Sequence, residues 1–333
     1  MSLETRRRWQ VCPRVSEAHF ARFPDLTPLV VQILSNRGIA EPDQVRNFLA
    51  CRPSDDTDPF LLKGMPEAVA RLRQAIAAGE LIAIYGDYDA DGVTATALMT
   101  HTLTGLGGRI RPYIPNRFDE GYGLNVEALT RLAEEGTRVV LTVDCGIRSV
   151  REVIHGNQLG LDMILTDHHY VGPQIPPALA AINPKQPGCP YPFKQLAGVG
   201  LAFKLAQALV HDIEGHEDRH ASLATEDLLD LVALGTVADL APLKDENREL
   251  VTSGLERLNK PQRPGVQMLM TQAGVQPGRV DAITIGFVLG PRLNAAGRLE
   301  SALAAYELLA TDDVFRAGQL AQQLDSQNRE RQA

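Results

Sequence analysis

The sequence predicts an α/β fold in which helices cover both faces of a parallel sheet. Apolar strand-like segments alternate with segments of helical periodicity between residues 81 and 240, which is the pattern of a parallel sheet. The chain has 333 residues, 44% of them hydrophobic, and this is enough to bury a large core. No run of 18 or more apolar residues occurs, so we expect no membrane span.

The helical lead-in before the sheet is expected to contain three helices. Residues 26–39 show helical apolar spacing that stops at Gly38. Residues 41–49 carry Pro42 in the first turn, and residues 65–80 form a third apolar repeat. The strands are then expected over 81–86, 109–115, 138–144 and 161–167, and the helices between and after them over 93–107, 125–136, 149–160, 197–210 and 225–240.

The last part of the chain is again predicted to be helical. Residues 248–259 and 264–274 show helical periodicity, and residues 313–332 form a polar helix with a narrow apolar stripe. Because so thin a stripe cannot hold a helix alone in water, we expect this helix to pack on, or lead into, something outside the chain. The predicted organisation is a lead-in over 1–75, an α/β domain over 76–245 and a helical extension with a linking helix over 246–333.

Composition excludes some classes of protein. The formal net charge of −8 argues against a protein that coats nucleic acid by bulk charge, although a local basic groove is compatible with it. The four cysteines form no CxxC pair, which argues against a zinc knuckle and favours reduced thiols in the cytoplasm. The basic N-terminal residues precede no apolar stretch, so we expect no secretory signal.

Acidic and imidazole side chains follow three of the predicted strands. The first strand leads into Asp87, Asp89 and Asp91, the third into Asp144, and the fourth into Asp167, His168 and His169. A further acid, Asp239, lies where the helix over 225–240 is expected to break. Ligands of parallel sheets bind beyond the carboxyl ends of the strands, so these side chains are expected to share one site.

Carboxylates and neutral imidazoles are ligands for Mn²⁺, Mg²⁺ or Zn²⁺, and two such ions would cancel the repulsion among the aspartates. Single aspartates after strands are more often turn or cap residues, but caps explain a recurring set poorly. A calcium loop of the EF-hand type is the other alternative for Asp87 to Gly92. It would need a glutamate where the sequence has Leu98.

The motifs "DYDADG", "VDCGI", "TDHH" and "GTVADLAPL", in this order, resemble those of the DHH phosphoesterases. The stretches "PNRFDEGYGL" and "GPRLNAAGRL" are similar to the RecJ branch of that family, the single-stranded-DNA-specific 5′→3′ exonucleases. The resemblance covers residues from about 25 to the end of the chain. It implies that residues 76–245 are the catalytic domain and that the linking helix leads towards a DHH-associated domain, whose "GGH" stretch does not follow residue 300.

The resemblance also implies roles for individual residues. Two divalent cations, Mn²⁺ or Mg²⁺, would be held by Asp87, Asp89, Asp91, Asp144, His168 and Asp239. Asp144 would bridge them, His169 would face the scissile phosphate, and Asp167 would orient a histidine. Many relatives have a histidine where this chain has Tyr85, and Asp87 is the candidate substitute ligand.

Four further residues are candidates for binding nucleic acid. Arg292, Asn294 and Arg298 are expected in a glycine-bounded loop, and Arg117 is expected to meet a 5′ phosphate. An ordinary surface pair of Arg298 with Glu300 is the alternative for that arginine. Phe118 and Tyr122 are weaker candidates for stacking on bases.

The function implied is hydrolysis of single-stranded DNA to 5′-mononucleotides in DNA repair and recombination. Single-strand-binding protein or other replication and repair proteins would be its partners. Two alternatives stay open. One is another DHH hydrolase, acting on short oligonucleotides, cyclic dinucleotides or pyrophosphate. The other is a non-catalytic RecJ-like scaffold of replication.

Overall fold

The computed structural model describes residues 10–51, 57–117, 120–121, 123–214, 224–299 and 301–332. The chain divides into two compact units, Met1–Ser54 and Asp55–Ala333, which are described one by one. Within these described ranges, every helix is too short or too polar to cross a bilayer.

The described part of the first unit is helical. It contains α1 (Glu17–Phe20), α2 (Pro28–Asn36) and α3 (Pro42–Ala50). The side chain of Thr27 accepts a hydrogen bond from the Val30 N–H and so caps the start of α2. The helices pack around a small core of Phe23, Val31, Leu34 and Val45. The helices predicted over 26–39 and 41–49 are confirmed.

A five-stranded parallel sheet lies at the centre of the second unit. Its strands are β1 (Leu81–Gly86), β2 (Arg109–Tyr113), β3 (Thr137–Val143), β4 (Asp162–Thr166) and β5 (Ala180–Ile182). The strand order is β2-β1-β3-β4-β5, and all neighbours are parallel. The four predicted strands are confirmed. The sequence does not predict β5, because three residues are too few to show a strand pattern.

Helices cover both faces of this sheet, as the alternating pattern predicts. They are α4 (Met65–Ala78), α5 (Ala90–Gly105), α6 (Val126–Glu134), α7 (Val150–Gln158) and α8 (Gly198–Glu214). Ile82 and Ile84 of β1 point to the core beneath α4, α5 and α8. The alternate residues Ala83 and Tyr85 belong to a second core with α6 and α7, as the period of two in a strand requires. The predicted fold class is therefore confirmed.

Helix α9 (Leu229–Ala238) packs against α5 and α8 and is buried along its whole length. A short 3₁₀ turn, Thr225–Leu228, precedes it. The helix ends where Asp239 forms the C-cap, and Leu240 follows in the left-handed region at φ 61°. The break that the sequence predicts at Asp239 is confirmed.

The remaining helices follow α9 along the chain. They are α10 (Asp245–Leu258), α11 (Pro264–Gln272), α12 (Ala282–Thr284), α13 (Gly290–Leu299), α14 (Leu303–Ala310) and α15 (Val314–Gln332), with a π-helical turn, Ile285–Leu289, between α12 and α13. Of these helices, α10, α13 and α14 pack on α5 or α9, and α11 and α15 pack on the others. Arg263 at the start of α11 forms a buried ion pair with Asp230 of α9, its Nε 3.1 Å from Oδ2.

The apolar stripe of α15 is buried within the chain itself. Ala317, Leu320, Ala321 and Leu324 are fully enclosed where α15 packs against α11, α13 and α14. The expectation that this stripe needs a partner outside the chain is therefore wrong. A thin stripe is sufficient here because three helices bury it together. A further domain after this helix stays a prediction.

The division of the chain at residues 75 and 245 also stays a prediction. The structure separates residues up to Ser54 from the rest, and α4, which the sequence places with the lead-in, packs on α8 and β5. In the structure, α4 therefore packs with the elements of the sheet unit.

Candidate metal centre

The predicted acids and histidines come together at one edge of the sheet. They follow β1, β3 and β4, which are neighbours in the strand order, so their carboxyl ends lie side by side. Asp239 reaches the same place from the end of α9, with its Oδ2 3.9 Å from His168 Nδ1. Parallel pairing of the strands is thus the reason why residues far apart in sequence meet.

The loop after β1 is compact because α5 begins inside it. The Asp89 side chain caps α5 by accepting hydrogen bonds from the N–H groups of Asp91 and Gly92, at 2.9 and 3.0 Å. A Cβ at Gly92 would lie 2.6 Å from the Asp87 carbonyl oxygen, so only glycine permits this close turn. Asp87 is buried at 3% exposure beside it.

Asp91 lies at the N-terminus of α8. Its two carboxylate oxygens accept hydrogen bonds from Gly198 N and Val199 N, at 2.7 and 2.8 Å. A Cβ at Gly198 would lie 2.6 Å from the Asp144 side chain, so this glycine lets the helix end approach both acids. The partial positive charge of a helix N-terminus favours the ionised form of such carboxylates.

Asp144 occupies the middle of the site and has an unusual backbone. Its φ of 63° lies in the left-handed region, which aspartate and asparagine enter more readily than other residues with a side chain. The residue is buried at 1% exposure, and its Oδ1 lies 3.2 Å from His168 Nε2. Backbone strain of this kind is found mostly at functional positions.

Asp167 and His169 form a hydrogen-bonded pair beside Asp144. Asp167 Oδ1 accepts from His169 Nδ1 at 2.8 Å and from the His169 N–H at 2.9 Å, while Oδ2 accepts from the Ile147 N–H at 2.9 Å. Burial alone would raise the pKa of Asp167, but these hydrogen bonds outweigh it and hold the pKa below its usual value. The same bond to Asp167 raises the pKa of His169.

Three overlapping groups of side chains have a geometry that could hold metal ions. The groups are Asp87 with Asp89 and Asp144, Asp91 with His168 and Asp239, and Asp144 with His168 and His169. In each group the candidate ligand atoms lie within 4.8 Å of one another. Asp144 and His168 each belong to two groups, which is the arrangement that a pair of neighbouring ions needs.

Several ligand atoms in these groups have no other use. Asp87 Oδ1, Asp144 Oδ1 and His168 Nε2 are buried, and none of them has a hydrogen-bond partner among the residues that the structure describes. Buried polar atoms without partners are costly, and a bound cation would satisfy all three. Carboxylate oxygens with imidazole nitrogens suit Mn²⁺ and Mg²⁺, so the donor set fits the predicted ions.

The raised pKa values of several of the aspartates also indicate that this cluster suits a cation. Burial, and then the charge of Asp89, raises the pKa of Asp87 to about 7 and that of Asp239 to about 6. Burial also raises the pKa of Asp91 and Asp144 well above the usual range. Burial, and then the neighbouring His169, lowers the pKa of His168 to about 4, so this imidazole is neutral and able to act as a ligand.

The two alternatives to a metal site explain less of this geometry. Capping does account for Asp89, which caps α5, and for Asp91, which caps α8, but it leaves Asp87 and Asp144 without a role. The calcium loop fails because Leu98, at the position of the required glutamate, is a fully buried residue inside α5. The assignment of individual ligands stays a prediction.

Two of the predicted nucleic-acid residues lie near Tyr88 in the loop after β1, residues 87–92, which is called the acid loop. The Arg117 guanidinium carbon lies 5.0 Å from the centre of the Tyr88 ring. Burial and then the charge of Asp87 raise the pKa of Tyr88, whereas Arg117 and Arg298 both lie close enough to oppose this rise. Two cationic side chains therefore act electrostatically on the residue between Asp87 and Asp89. Phe118, Tyr122 and Glu300, on which the stacking and surface-pair hypotheses depend, lie outside the described residues.

Arg292 and Asn294 have other contacts in the structure. The stretch that contains them is the helix α13, so the expectation of a glycine-bounded loop is wrong. Its Gly297 is needed for packing, since a Cβ there would lie 2.4 Å from the Tyr88 carbonyl oxygen. Arg292 pairs with buried Asp325 of α15 at 2.9 Å, and Asn294 Oδ1 accepts from the Ala90 N–H at 2.8 Å. These two side chains hold α13 against α15 and the acid loop.

Sequence reasoning missed Asn183 and Lys185 at this site. Asn183 donates to the His169 carbonyl at 2.9 Å, and the Lys185 ammonium donates to the His168 carbonyl. Both follow β5 directly, so the rule that side chains after parallel strands share a site would have found them if β5 had been recognised.

Tyr85 is not positioned to replace the histidine ligand of the relatives. Its hydroxyl donates to the Gly123 carbonyl at 3.0 Å and accepts from Asn125 Nδ2 at 3.2 Å. The ring is fully buried in the core beneath α6 and α7. Tyr85 therefore connects β1 to the loop that carries Arg117. Asp87 stays the predicted metal ligand in place of that histidine.

Known proteins are similar to this chain in sequence and in fold. A model of the DHH family, N-terminal domain, matches residues 81–236. The single-stranded-DNA-specific exonuclease RecJ of Bacillus subtilis is 49% identical over 92% of this chain and 38% of its own length. A crystal structure of exonuclease RecJ bound to manganese superposes with a TM-score of 0.73 at 38% identity, over 81% of this chain and 67% of the other.

A second crystal structure, of RecJ from Thermus thermophilus in complex with Mn²⁺, gives a TM-score of 0.80 at 34% identity, over 98% of this chain and 46% of the other. The chain spans between 38% and 54% of the length of the curated relatives that it matches first.

Proposed function

The chain belongs to the DHH family, in its RecJ branch, and from this premise we propose that it is the catalytic part of a metal-dependent 5′→3′ exonuclease. Its substrate is single-stranded DNA, and its products are 5′-mononucleotides. The observation that carries the proposal is the overlap of three candidate ligand groups through Asp144 and His168 at the carboxyl ends of β1, β3 and β4. RecJ of Bacillus subtilis, the relative with 49% identity, is named a single-stranded-DNA-specific exonuclease.

Two divalent cations, Mn²⁺ or Mg²⁺, would occupy the ligand groups. Asp87, Asp89 and Asp144 would hold one, and Asp91, His168 and Asp239 would hold the other, with Asp144 shared. When bound, such a pair supplies an activated water for in-line attack on phosphorus and stabilises the charge that develops on the phosphate oxygens. Crystal structures of RecJ relatives bound to manganese and to Mg²⁺ support this choice of ions.

His169 is proposed to act on the phosphate side of the site. Its Nδ1–H donates to Asp167, which places the lone pair of the neutral ring on Nε2 and fixes the plane of the ring. Because Asp167 raises the pKa of His169, the ring takes up a proton at Nε2 more readily than an ordinary histidine. The half-exposed imidazole can therefore donate a hydrogen bond or a proton to a phosphate oxygen or to the leaving group.

The cations near Tyr88 are proposed to set the direction of cleavage. Arg117 lies over the Tyr88 ring, and Arg298 also acts electrostatically on this tyrosine, so a phosphate next to the reacting phosphate is proposed to bind there. A terminal 5′ phosphate held at this place would release single nucleotides from the 5′ end. The aromatic face of Tyr88, already covered by Arg117, adds rigidity to this cationic pair.

The test is a cleavage assay with Mn²⁺ on a 5′-labelled single strand, the same strand in a duplex, and a dinucleotide. We expect labelled mononucleotide from the single strand and much slower release from the duplex. The variant Asp144→Asn should lose activity, while Asp312→Asn, which changes an exposed acid outside the cluster, should keep it. Hydrolysis of the dinucleotide alone would contradict the exonuclease and favour a short-oligonucleotide hydrolase.

The location and protein partners depend on this substrate. We place the protein in the cytoplasm, with single-strand-binding protein or other replication and repair proteins as neighbours on the DNA. The described cysteines are free thiols, which is consistent with a reducing compartment. Pull-down of single-strand-binding protein from nuclease-treated lysate would test the partner, and its absence from repeated pull-downs would contradict it.

A further inference from the structure

A short loop after β5 lies behind the two histidines of the candidate metal centre. Asn183 and Lys185 lie in this loop, within three residues of the end of the strand Ala180–Ile182 at the edge of the sheet. Asn183 is fully buried, and Lys185 is half-buried. Neither belongs to the candidate ligand groups, so their burial at this edge of the sheet needs its own explanation.

Both side chains hold the main chain of the histidines. Lys185 Nζ donates a hydrogen bond to the His168 carbonyl oxygen, and Asn183 Nδ2 donates to the His169 carbonyl oxygen at 2.9 Å. Asn183 Oδ1 also accepts from the Lys185 N–H at 2.8 Å, which fixes the start of the lysine side chain. The loop after β5 thus donates hydrogen bonds to two successive carbonyl groups, those of His168 and His169, which lie beyond the end of β4.

The position of these carbonyls matters because the imidazoles branch from the same residues. His168 Nε2 must stay 3.2 Å from Asp144 Oδ1 to share an ion with it, and the two rings lie edge to face at a centroid distance of 4.5 Å. A ligand geometry of this kind tolerates only small rotations of the backbone. The hydrogen bonds from the loop oppose such rotations.

Two opposing effects act on the charge of the lysine. Burial lowers the pKa of Lys185, and the charges of Asp167 and Asp239 oppose this lowering. The ammonium lies 4.9 Å from the centre of the exposed Tyr170 ring and directs a hydrogen bond to a carbonyl. Because Lys185 Nζ donates to a main-chain oxygen of His168 and belongs to none of the candidate ligand groups, the lysine can position the histidines without being a ligand.

We propose that Asn183 and Lys185 are positioning residues that keep His168 and His169 in the geometry needed to bind a divalent cation. The proposal rests on the metal-dependent function proposed above. It assigns to the loop after β5 a part in metal affinity that its residues exert through the main chain of the histidines, without touching the ion.

The test compares Lys185→Met with the matched control Lys194→Met. Lys194 also donates to a loop carbonyl, that of Cys189 at 2.9 Å, but this bond lies outside the histidine segment. Mn²⁺ affinity is measured by titration calorimetry on the full chain, with thermal unfolding in EDTA to confirm that both variants are folded. We expect Lys185→Met to weaken Mn²⁺ binding by roughly 10- to 100-fold, the usual effect of losing a residue that orients a ligand. Lys194→Met should bind as the parent does.

Two further measurements separate positioning from general loss of structure. Lys185→Arg keeps a donor and a charge, so it should recover part of the affinity. The side-chain ¹⁵N signals of His168 and His169 should shift in metal-free Lys185→Met and stay in place in Lys194→Met. Equal Mn²⁺ affinity of parent and Lys185→Met, with unchanged imidazole signals, would overturn the proposal. A parent chain that binds Mn²⁺ but leaves single-stranded DNA intact would instead overturn the proposed nuclease.

Discussion

Replacing Asp87 with asparagine is expected to stabilise the metal-free protein while weakening its hold on divalent cations. Asp87 is 3% exposed, and its Oδ1 has no hydrogen-bond partner among the described residues. Burial, and then the charge of Asp89, raises the pKa of Asp87 to about 7. Without a cation, the ionised carboxylate is therefore a destabilising group, and the neutral amide of asparagine removes it.

The size and sign of this effect follow from proton linkage. The folded-state pKa of about 7 lies roughly three pH units above the ordinary value of 3.8. Each pH unit corresponds to about 1.4 kcal/mol, so the penalty reaches at most about 4 kcal/mol. The folded state binds more protons than the unfolded chain between these two pKa values. Stability of the metal-free parent therefore falls as pH rises from about 4 to about 7, and then stays level.

Urea unfolding in EDTA at pH 5.5 and pH 8 measures the difference between parent and Asp87→Asn. The variant should be more stable by up to about 4 kcal/mol at pH 8 and by about 2 kcal/mol at pH 5.5. The control Asp312→Asn should stay within about 0.5 kcal/mol of the parent at both pH values. With Mn²⁺ at about 100 times the dissociation constant of the parent, the parent should gain about 2.7 kcal/mol and the variant less.

The reasoning fails if Asp87→Asn and the parent unfold at the same urea concentration at pH 8 in EDTA. It also fails if the difference is the same at pH 5.5 as at pH 8, since a constant gain would come from packing and not from an ionised carboxylate. A variant that gains as much stability from Mn²⁺ as the parent would remove Asp87 from the ligand set.

Three further predictions concern the surroundings of the site. Gly297→Ala should displace the acid loop and lower Mn²⁺ affinity in calorimetry, because its Cβ would lie 2.4 Å from a carbonyl oxygen. An added Cβ at Gly318 would have its nearest neighbour 4.0 Å away, so Gly318→Ala should raise the free energy of unfolding by roughly 0.5–1 kcal/mol. Lower stability in Gly318→Ala together with unchanged Mn²⁺ affinity in Gly297→Ala would contradict the described packing. Tyr85→Phe removes the hydroxyl that holds the loop of Arg117, so KM for 5′-phosphorylated DNA should rise while Mn²⁺ affinity is unchanged; a lost Mn²⁺ site would refute this. Asp230→Ala leaves the partly buried Arg263 without its carboxylate partner and should cost about 1.5–3 kcal/mol in urea unfolding, whereas a loss under about 0.5 kcal/mol would show that the ion pair contributes little.

The sequence predicts the acids of this site well because the rule behind them is geometric. Parallel strands place their carboxyl ends at one edge, so Asp87, Asp144 and His168 had to lie close together once the strands were recognised. Asp239 was found from a helix break, which the C-cap at the end of α9 bears out. The family resemblance added the order of the motifs, and the matches to DHH and RecJ proteins confirm it.

Three features could not be read from the pattern, each for a physical reason. The strand β5 has only three residues, so the sequence pattern does not predict it, nor the place of Asn183 and Lys185 at the site. The glycines of α13 suggest a loop from the sequence. In the structure, glycine is needed at position 297 because the main chain of Tyr88 packs against it. A glycine required for close packing cannot be distinguished in sequence from a glycine required for a turn. The sequence suggests Arg292 as a phosphate-binding residue. Its partner Asp325 lies 33 positions away on α15, so the sequence pattern does not show that the two side chains pair.

The left-handed backbone of Asp144 narrows what can occupy that position. Asparagine would tolerate the same φ but lacks the charge that two cations require, and glycine would keep the turn but offer no oxygen at all. Glutamate would keep the charge, yet its longer side chain suits a left-handed backbone less well. Aspartate therefore combines the turn and the charged ligand at this position, whereas asparagine, glycine and glutamate each weaken one of the two.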